Sequence, residues 1–171
     1  MTTAQDAVVA FYSGGPDHRR RTLDQILSWT DEGLESVHDY VQWVFPTRQP
    51  SGVNPHAPLV TDATVRAFSD SADLRARLRQ AFRRMLLFYG LRFDPDGAIG
   101  ADPERFASRA RVWLHPGNHN HLRLTRIMES LSTLGLRDDA LALQRCLIEA
   151  VARDHGGVSH ATLKFWARAI S

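Results

Sequence analysis

The sequence predicts an all-α fold, a single-domain multi-helix bundle or orthogonal array of about nine helices. Three observations point there. Apolar residues recur at spacings of three and four, the period of one helix face, through nearly the whole chain of 171 residues. Capping residues and helix breakers fall at the ends of these runs. No stretch alternates apolar with polar residues as a half-buried strand does, and no segment repeats another.

Ala4 to Tyr12 is expected as the first helix, ended by Ser13-Gly14-Gly15-Pro16. Thr22 caps a second, with Leu23, Ile26 and Leu27 on one face, running to Trp29. Leu34, Val37, Val41, Val44 and Phe45 define a third, which Pro46 must stop. From Pro46 to Leu59, the prolines Pro46, Pro50, Pro55 and Pro58 predict an ordered extended loop. Thr61 caps a short helix carrying Val65 and Phe68. Asp70 or Ser71 opens the longest helix, striped by Leu74, Leu78, Phe82, Met85, Leu86 and Tyr89, with Gly90 as a left-handed C-cap. Asp94-Pro95-Asp96-Gly97 reads as a turn, and Asp102-Pro103 starts a helix that reaches Trp113 before His115-Pro116-Gly117. Asn118 or Asn120 begins the next, burying Leu124, Ile127, Met128, Leu131 and Leu134 and stopping at Gly135. Asp138 caps a helix with Leu141, Ile148 and Val151 inward, ended by His155-Gly156-Gly157, and Ser159 opens the last, with Leu163, Trp166 and Ile170.

Length and composition bound the class. A chain of this size fits one domain spanning residues 1–171, and 43% hydrophobic with 23% charged residues excludes a disordered or coiled-coil protein. No apolar run approaches the ~20 residues of a membrane helix, and Asp6 stands where a signal peptide carries cations, so cytoplasmic localisation without membrane insertion is expected. Cys146 is the sole cysteine, which excludes an internal disulfide. A formal net charge of +2 does not imply nucleic acid as a partner. All cationic side chains but Lys164 are arginine, as a GC-rich genome would produce. Two arginine clusters stand out: His18-Arg19-Arg20-Arg21 in a loop, and Arg75, Arg77, Arg79, Arg83 and Arg84 scattered round a helix as a solvated face.

Three constellations could carry chemistry. His115, His119 and His121 crowd together, and imidazole is a common metal ligand, but Pro116-Gly117 intervenes and His119 and His121 diverge on a helix. The alternative is a hydrogen-bonded loop turning into a helix N-terminus. Glu35 and His38 have the Glu-x-x-His spacing of di-iron bundles, yet no second such pair exists. Arg123 and Arg126 sit near a helix N-terminus, where the macrodipole opposes cations, so negative charge must compensate: either Glu35 and Asp39 within the protein, or an anionic ligand.

The run from Leu34 to Pro46, followed by Pro50-Ser51-Gly52-Val53-Asn54-Pro55-His56-Ala57-Pro58, resembles the opioid growth factor receptor conserved domain. Phe88-Tyr89-Gly90-Leu91 and the stretch from Asn118 through His119, Asn120, His121, Leu122 and Arg123 to Met128, with Leu134-Gly135, agree with it in order. The likeness spans residues 11–170. It implies a receptor-like binding domain, with no established catalytic residue and no cofactor. The family's animal members are associated with the nucleus and take an enkephalin peptide; a short arginine-rich chain resembles a stand-alone bacterial member without their C-terminal extension.

The expected function is therefore non-enzymatic capture of a small molecule, peptide or protein partner. Its candidate ligand-binding residues are His38, Tyr40, Trp43, Asn54, His56, Asn118, His119, Asn120, Arg123 and Arg126. Tyr40 and Trp43 could wall a pocket closed by the proline-rich loop, whose stiffness leaves little entropy to lose on binding. The competing expectation is a metal-dependent enzyme drawing on Glu35, His38, His115, His119 and His121.

Overall fold

The computed structural model describes residues 6–154 and 157–170. It is mostly helical, with ten helices and one two-stranded sheet among the described residues. The chain divides into two units, one of Met1–Ala81 with Thr133–Gly135, the other of Phe82–Ser132 with Leu136–Ser171.

In the first unit, α1 (Ala7–Tyr12) starts at a cap, Asp6, whose Oδ1 accepts the Val8 and Val9 amides. Ala4, the expected start, lies outside the described residues. The Tyr12 hydroxyl, on a fully buried ring, donates to the Val44 carbonyl. α2 (Leu23–Leu27) opens with a capping box of Thr22 and Gln25.

The expected third helix is two helices, α3 (Asp31–Ser36) and α4 (Val41–Val44). Between them Val37 is extended at φ −96°, ψ 132°, and the Tyr40 hydroxyl donates to the Leu34 carbonyl at 2.8 Å. That carbonyl lies in the last turn of α3, where helix carbonyls run out of backbone donors, and Tyr40 caps it with a side chain. Because of the break, Glu35 and His38 do not share a helix face, which corrects the di-iron spacing. α5 (Asp62–Asp70) begins with Thr61 and Thr64 as a box, and Thr64 also donates to Asp6.

α6 (Ala72–Tyr89) runs through the boundary between the units, and Ser71 caps it by accepting the Leu74 amide. In the second unit its end is closed by side chains of α7 (Phe106–Trp113) and the turn before it. Arg105 Nε donates to the Leu87 carbonyl, Arg109 Nε to Phe88 at 2.7 Å and Trp113 Nε1 to Tyr89 at 3.0 Å. Side chains four apart, from the N-cap of α7 through its last residue, thus bond successive terminal carbonyls of α6. Gly90, at φ +77°, is required where they meet, since a Cβ there would lie 2.8 Å from Phe106 Cα.

A hairpin follows Gly90 that the helical reading did not contain: β1 (Leu91–Phe93) pairs antiparallel with β2 (Ile99–Ala101), Phe93 opposite Ile99. The expected turn at Asp94–Gly97 connects them, with the Gly97 amide bonded to the Asp94 carbonyl. α8 (Asn120–Thr133) buries Leu124, Ile127, Met128 and Leu131 as its spacing predicts. α9 (Arg137–Asp154) turns Ala140, Leu143, Leu147 and Val151 inward, whereas Ile148 is 44% exposed. Of the three residues expected inward, Val151 is buried, Leu141 is half-buried and Ile148 is not, because the sequence carries two apolar lines. α10 (His160–Arg168) is capped by Ser159. His155 and Gly156, expected to end α9, lie outside the described residues.

Candidate functional site

The loop after α1 organises the first unit's polar centre. Asp17, with its side chain fully buried, accepts the backbone amides of Arg19 and Arg21 on Oδ1 and the Arg21 Nε at 2.7 Å on Oδ2. This is an Asx turn, and it carries Arg20 at φ +65°, a backbone conformation non-glycine residues adopt only when the surroundings hold them there. The turn aims Arg21 at the α3–α4 break, where its guanidinium reaches Asp39 at 2.8 Å and lies over the Trp29 ring at 5.5 Å. Arg19 also pairs with Asp39. Burial disfavours the Asp39 carboxylate, but hydrogen bonds and charge from Arg21 and Arg19 outweigh it and hold the group below its ordinary range. Arg21 is likewise pulled down by burial and raised, on balance, by Asp17 and Asp39.

On this frame hangs a ring stack. His18 lies parallel to Trp43, with centroids 6.0 Å apart, and parallel to His56 at 5.1 Å. Phe11 also meets Trp43 edge-on, with centroids 5.5 Å apart. Two ring nitrogens in the stack, Trp43 Nε1 and His18 Nδ1, are buried without a hydrogen-bond partner among the described residues. Asn54 pins the proline-rich loop to the same place: its Nδ2 donates to the Asp39 carbonyl at 3.1 Å, and its Oδ1 accepts the His56 amide at 3.0 Å. A parallel bridge between Thr47 and Leu59 closes the loop's base. The loop then presents Val53, 85% exposed, to solvent. Beside it Arg19, Arg21, Val37, His38 and Asp39 line an open depression of about 480 Å³.

The structure therefore brings Trp43, Asn54 and His56 together around Asp39, with His38 exposed on the rim of the depression. Tyr40 is fully buried and supports the α3–α4 turn. Composition singled out the basic run at 18–21 but not its role. The sequence signal for it was Asp17, an Asx-turn residue directly before a run of His and Arg.

Asn118, His119, Asn120, Arg123 and Arg126 belong to the second unit. Asn118 Oδ1 accepts the Asn120 amide and its Nδ2 donates to the Val112 carbonyl, both at 2.7 Å, while the same Nδ2 meets His115 Nε2. Asn120 is fully buried, with the Tyr89 hydroxyl 3.4 Å from its Oδ1. His121 Nε2 meets the Trp113 carbonyl at 2.6 Å, and the His121 carbonyl accepts Trp166 Nε1. These groups form the hydrogen-bonded turn into α8. Among the described residues no three His, Cys, Asp or Glu side chains converge as metal ligands, so Glu35, His38, His115, His119 and His121 make no such cluster. Arg123 is buried and Arg126 half-buried. Burial lowers the proton affinity of Arg126, opposed by the Glu129 carboxylate one turn on.

Burial pulls His121 below its ordinary value of 6.5, reinforced by His115 and His119 and opposed by the bond to Trp113. The unfolded chain thus takes up a proton that the folded one resists, and this contribution to stability is present above pH 6.5 and lost as pH falls through the lowered folded value. Asp39 adds a second loss below its unfolded value of 3.8. Thermal melts should show the melting temperature falling from pH 7 toward pH 5 and again in stronger acid; a flat profile across the first interval contradicts the buried neutral imidazole.

The sequence profile described as opioid growth factor receptor (OGFr) conserved region matches residues 17–171. The chain belongs to this family. It is 36% identical to the opioid growth factor receptor of Homo sapiens over 151 residues, covering 86% of this chain and 22% of the human one. It is 40% identical to the Mus musculus receptor over 136 residues, covering 77% and 21%, and 36% identical to opioid growth factor receptor-like protein 1 of Xenopus tropicalis over 108 residues, covering 61% and 20%. The chain thus spans about a fifth of the length of these curated relatives. No solved structure matches it. No helix among the described residues is long and apolar enough to cross a membrane.

Proposed function

We propose that this OGFr-family domain is a non-catalytic recognition module that captures an extended peptide segment of a protein partner on the face made by the proline-rich loop and the His56–His18–Trp43 stack. The observation that carries the reading is the pair of buried, unpartnered nitrogens, Trp43 Nε1 and His18 Nδ1, in a ring stack that His56 joins to a loop already pinned by Asn54. A buried donor left unsatisfied costs about 1–3 kcal/mol. A peptide carbonyl accepting from Trp43 would recover that cost, and Val53 would add apolar contact at the edge. The loop is ordered in advance, so little conformational entropy is lost on binding. Arg19, Arg21 and Asp39 give the adjoining depression charges of both signs, which supports a polypeptide over nucleic acid. A soluble cytoplasmic setting and a bacterial source, favoured by the arginine-dominated cations, complete the proposal.

Selection of ligands from a displayed peptide library tests it. Peptides selected on the native chain should lose about tenfold in affinity on Trp43→Phe, which keeps the ring stack and removes the N–H, and a similar factor on Val53→Asp. Melting curves must show both variants folded. Peptides that bind the native chain and both folded variants equally would overturn the reading.

A further inference from the structure

The second unit contains a cavity of about 430 Å³ between the hairpin, α7 and α9. Its floor is apolar: Leu91, Ile99 and Cys146 are buried there, and Phe106 and Leu114 flank them. Across the hairpin Phe93 faces Ile99 and Leu91 faces Ala101, which puts Leu91, Ile99 and Ala101 on one side of the sheet. Ala107 and Ala110 of α7 and Ala150 of α9 present only methyl groups, and it is these small side chains that keep the space open. The volume lies at the small end of the ~300–1,000 Å³ typical of ligand pockets, enough for one compact molecule.

The mouth is charged with both signs. Arg111 comes from α7, and Glu149, Arg153 and Asp154 come from α9. Glu149 and Arg153 stand four residues apart on one helix, the arrangement that ordinarily pairs, yet among the described residues none of these four groups forms an ion pair. The carboxylate of Glu149 and the guanidinium of Arg153 are both felt at the Cys146 thiol, which burial first, and then Glu149, pushes up to about 11. An apolar floor rimmed by unpaired charges of both signs complements a molecule that is apolar at one end and zwitterionic at the other.

We propose that this cavity binds a free apolar α-amino acid, its side chain on Leu91, Ile99 and Cys146, its ammonium at Glu149 and its carboxylate at Arg111 or Arg153. The site is independent of the peptide-binding face proposed for the first unit. An anion alone would meet Glu149 and Asp154 unfavourably, and a cation alone would meet the arginines.

Cys146, the chain's sole cysteine, reports occupancy directly. The intact protein is alkylated with N-ethylmaleimide in mild base and followed by mass spectrometry, with and without L-phenylalanine. The expected result is a saturable slowing of about fivefold or more by about 10 mM L-phenylalanine, with N-acetyl-L-phenylalanine and L-phenylalaninamide each leaving the rate within about twofold. Glu149→Gln, a change at an exposed position, should abolish the protection without altering the melt. Thermal melts with the same three compounds supply a parallel readout if the native thiol alkylates too slowly, the zwitterion alone raising the transition. No effect of L-phenylalanine or L-leucine in either readout overturns the proposal, as does equal protection by all three phenylalanine compounds.

Discussion

Replacing Asp17 by alanine is expected to cost about 3–5 kcal/mol, the scale for removing one partner of a buried ion pair. The Asp17 side chain is fully buried and that of Arg21 is 16% exposed, so the guanidinium left behind would keep only Asp39. The amides of Arg19 and Arg21 would lose their acceptor in the same step. With the turn unsupported, nothing holds Arg20 at positive φ, and the His18 ring loses its place between Trp43 and His56. Asp17→Asn should cost less, because its amide oxygen can still accept the two backbone amides. Denaturant melts of both variants check the order, and a loss of under ~1 kcal/mol for Asp17→Ala would show that the turn forms without its carboxylate.

In the second unit, Trp113→Ala is expected to cost about 3–5 kcal/mol. The ring is fully buried, and its edge packs on Tyr89 with centroids 6.1 Å apart. Its indole N–H donates to the terminal carbonyl of α6 at Tyr89, so truncation opens a cavity and removes a hydrogen bond together. Trp113→Phe separates the two effects: it retains most of the apolar volume while removing the hydrogen bond to the Tyr89 carbonyl, a cost of about 0.5–1.5 kcal/mol. Equal losses for the two variants would assign the whole effect to the hydrogen bond.

Helix positions were legible where one apolar stripe and clear punctuation coincided, as in α6 and α8, whose stripes are buried as their spacing requires. The split between α3 and α4 was not, because Leu34, Val37, Val41 and Val44 keep helical spacing across it and no Pro or Gly marks the extended Val37, beside which the Tyr40 hydroxyl bonds the Leu34 carbonyl. The hairpin escaped because three-residue strands are too short to show alternation, although the Asp-Gly turn between Phe93 and Ile99 was a usable signal. Ile148 was misplaced because α9 carries two apolar lines about 100° apart, and only packing selects one. Of the candidate site, the proline-rich loop, Trp43 and Asn54 could be named from the sequence, but their grouping around Asp39 could not. The partners that achieve it, His18 and Arg21, lie on a distant stretch of chain, and periodicity carries no information about pairs so far apart.

The proposed recognition face requires a proline-rich loop that is preformed and locked by Asn54. Hydrogen–deuterium exchange across residues 46–60 tests it most directly. The amides of Asn54, His56, Ala57 and Val60 are all hydrogen-bonded, to Ser51 Oγ, Asn54 Oδ1, the Asn54 carbonyl and the Thr47 carbonyl respectively. They should exchange at least ~100-fold more slowly than free peptide amides although the loop contains no helix or sheet, and Asn54→Ala should release His56 selectively while the helices stay protected. Exchange of all four at free-peptide rates in the native chain, with the helices protected, would contradict the account.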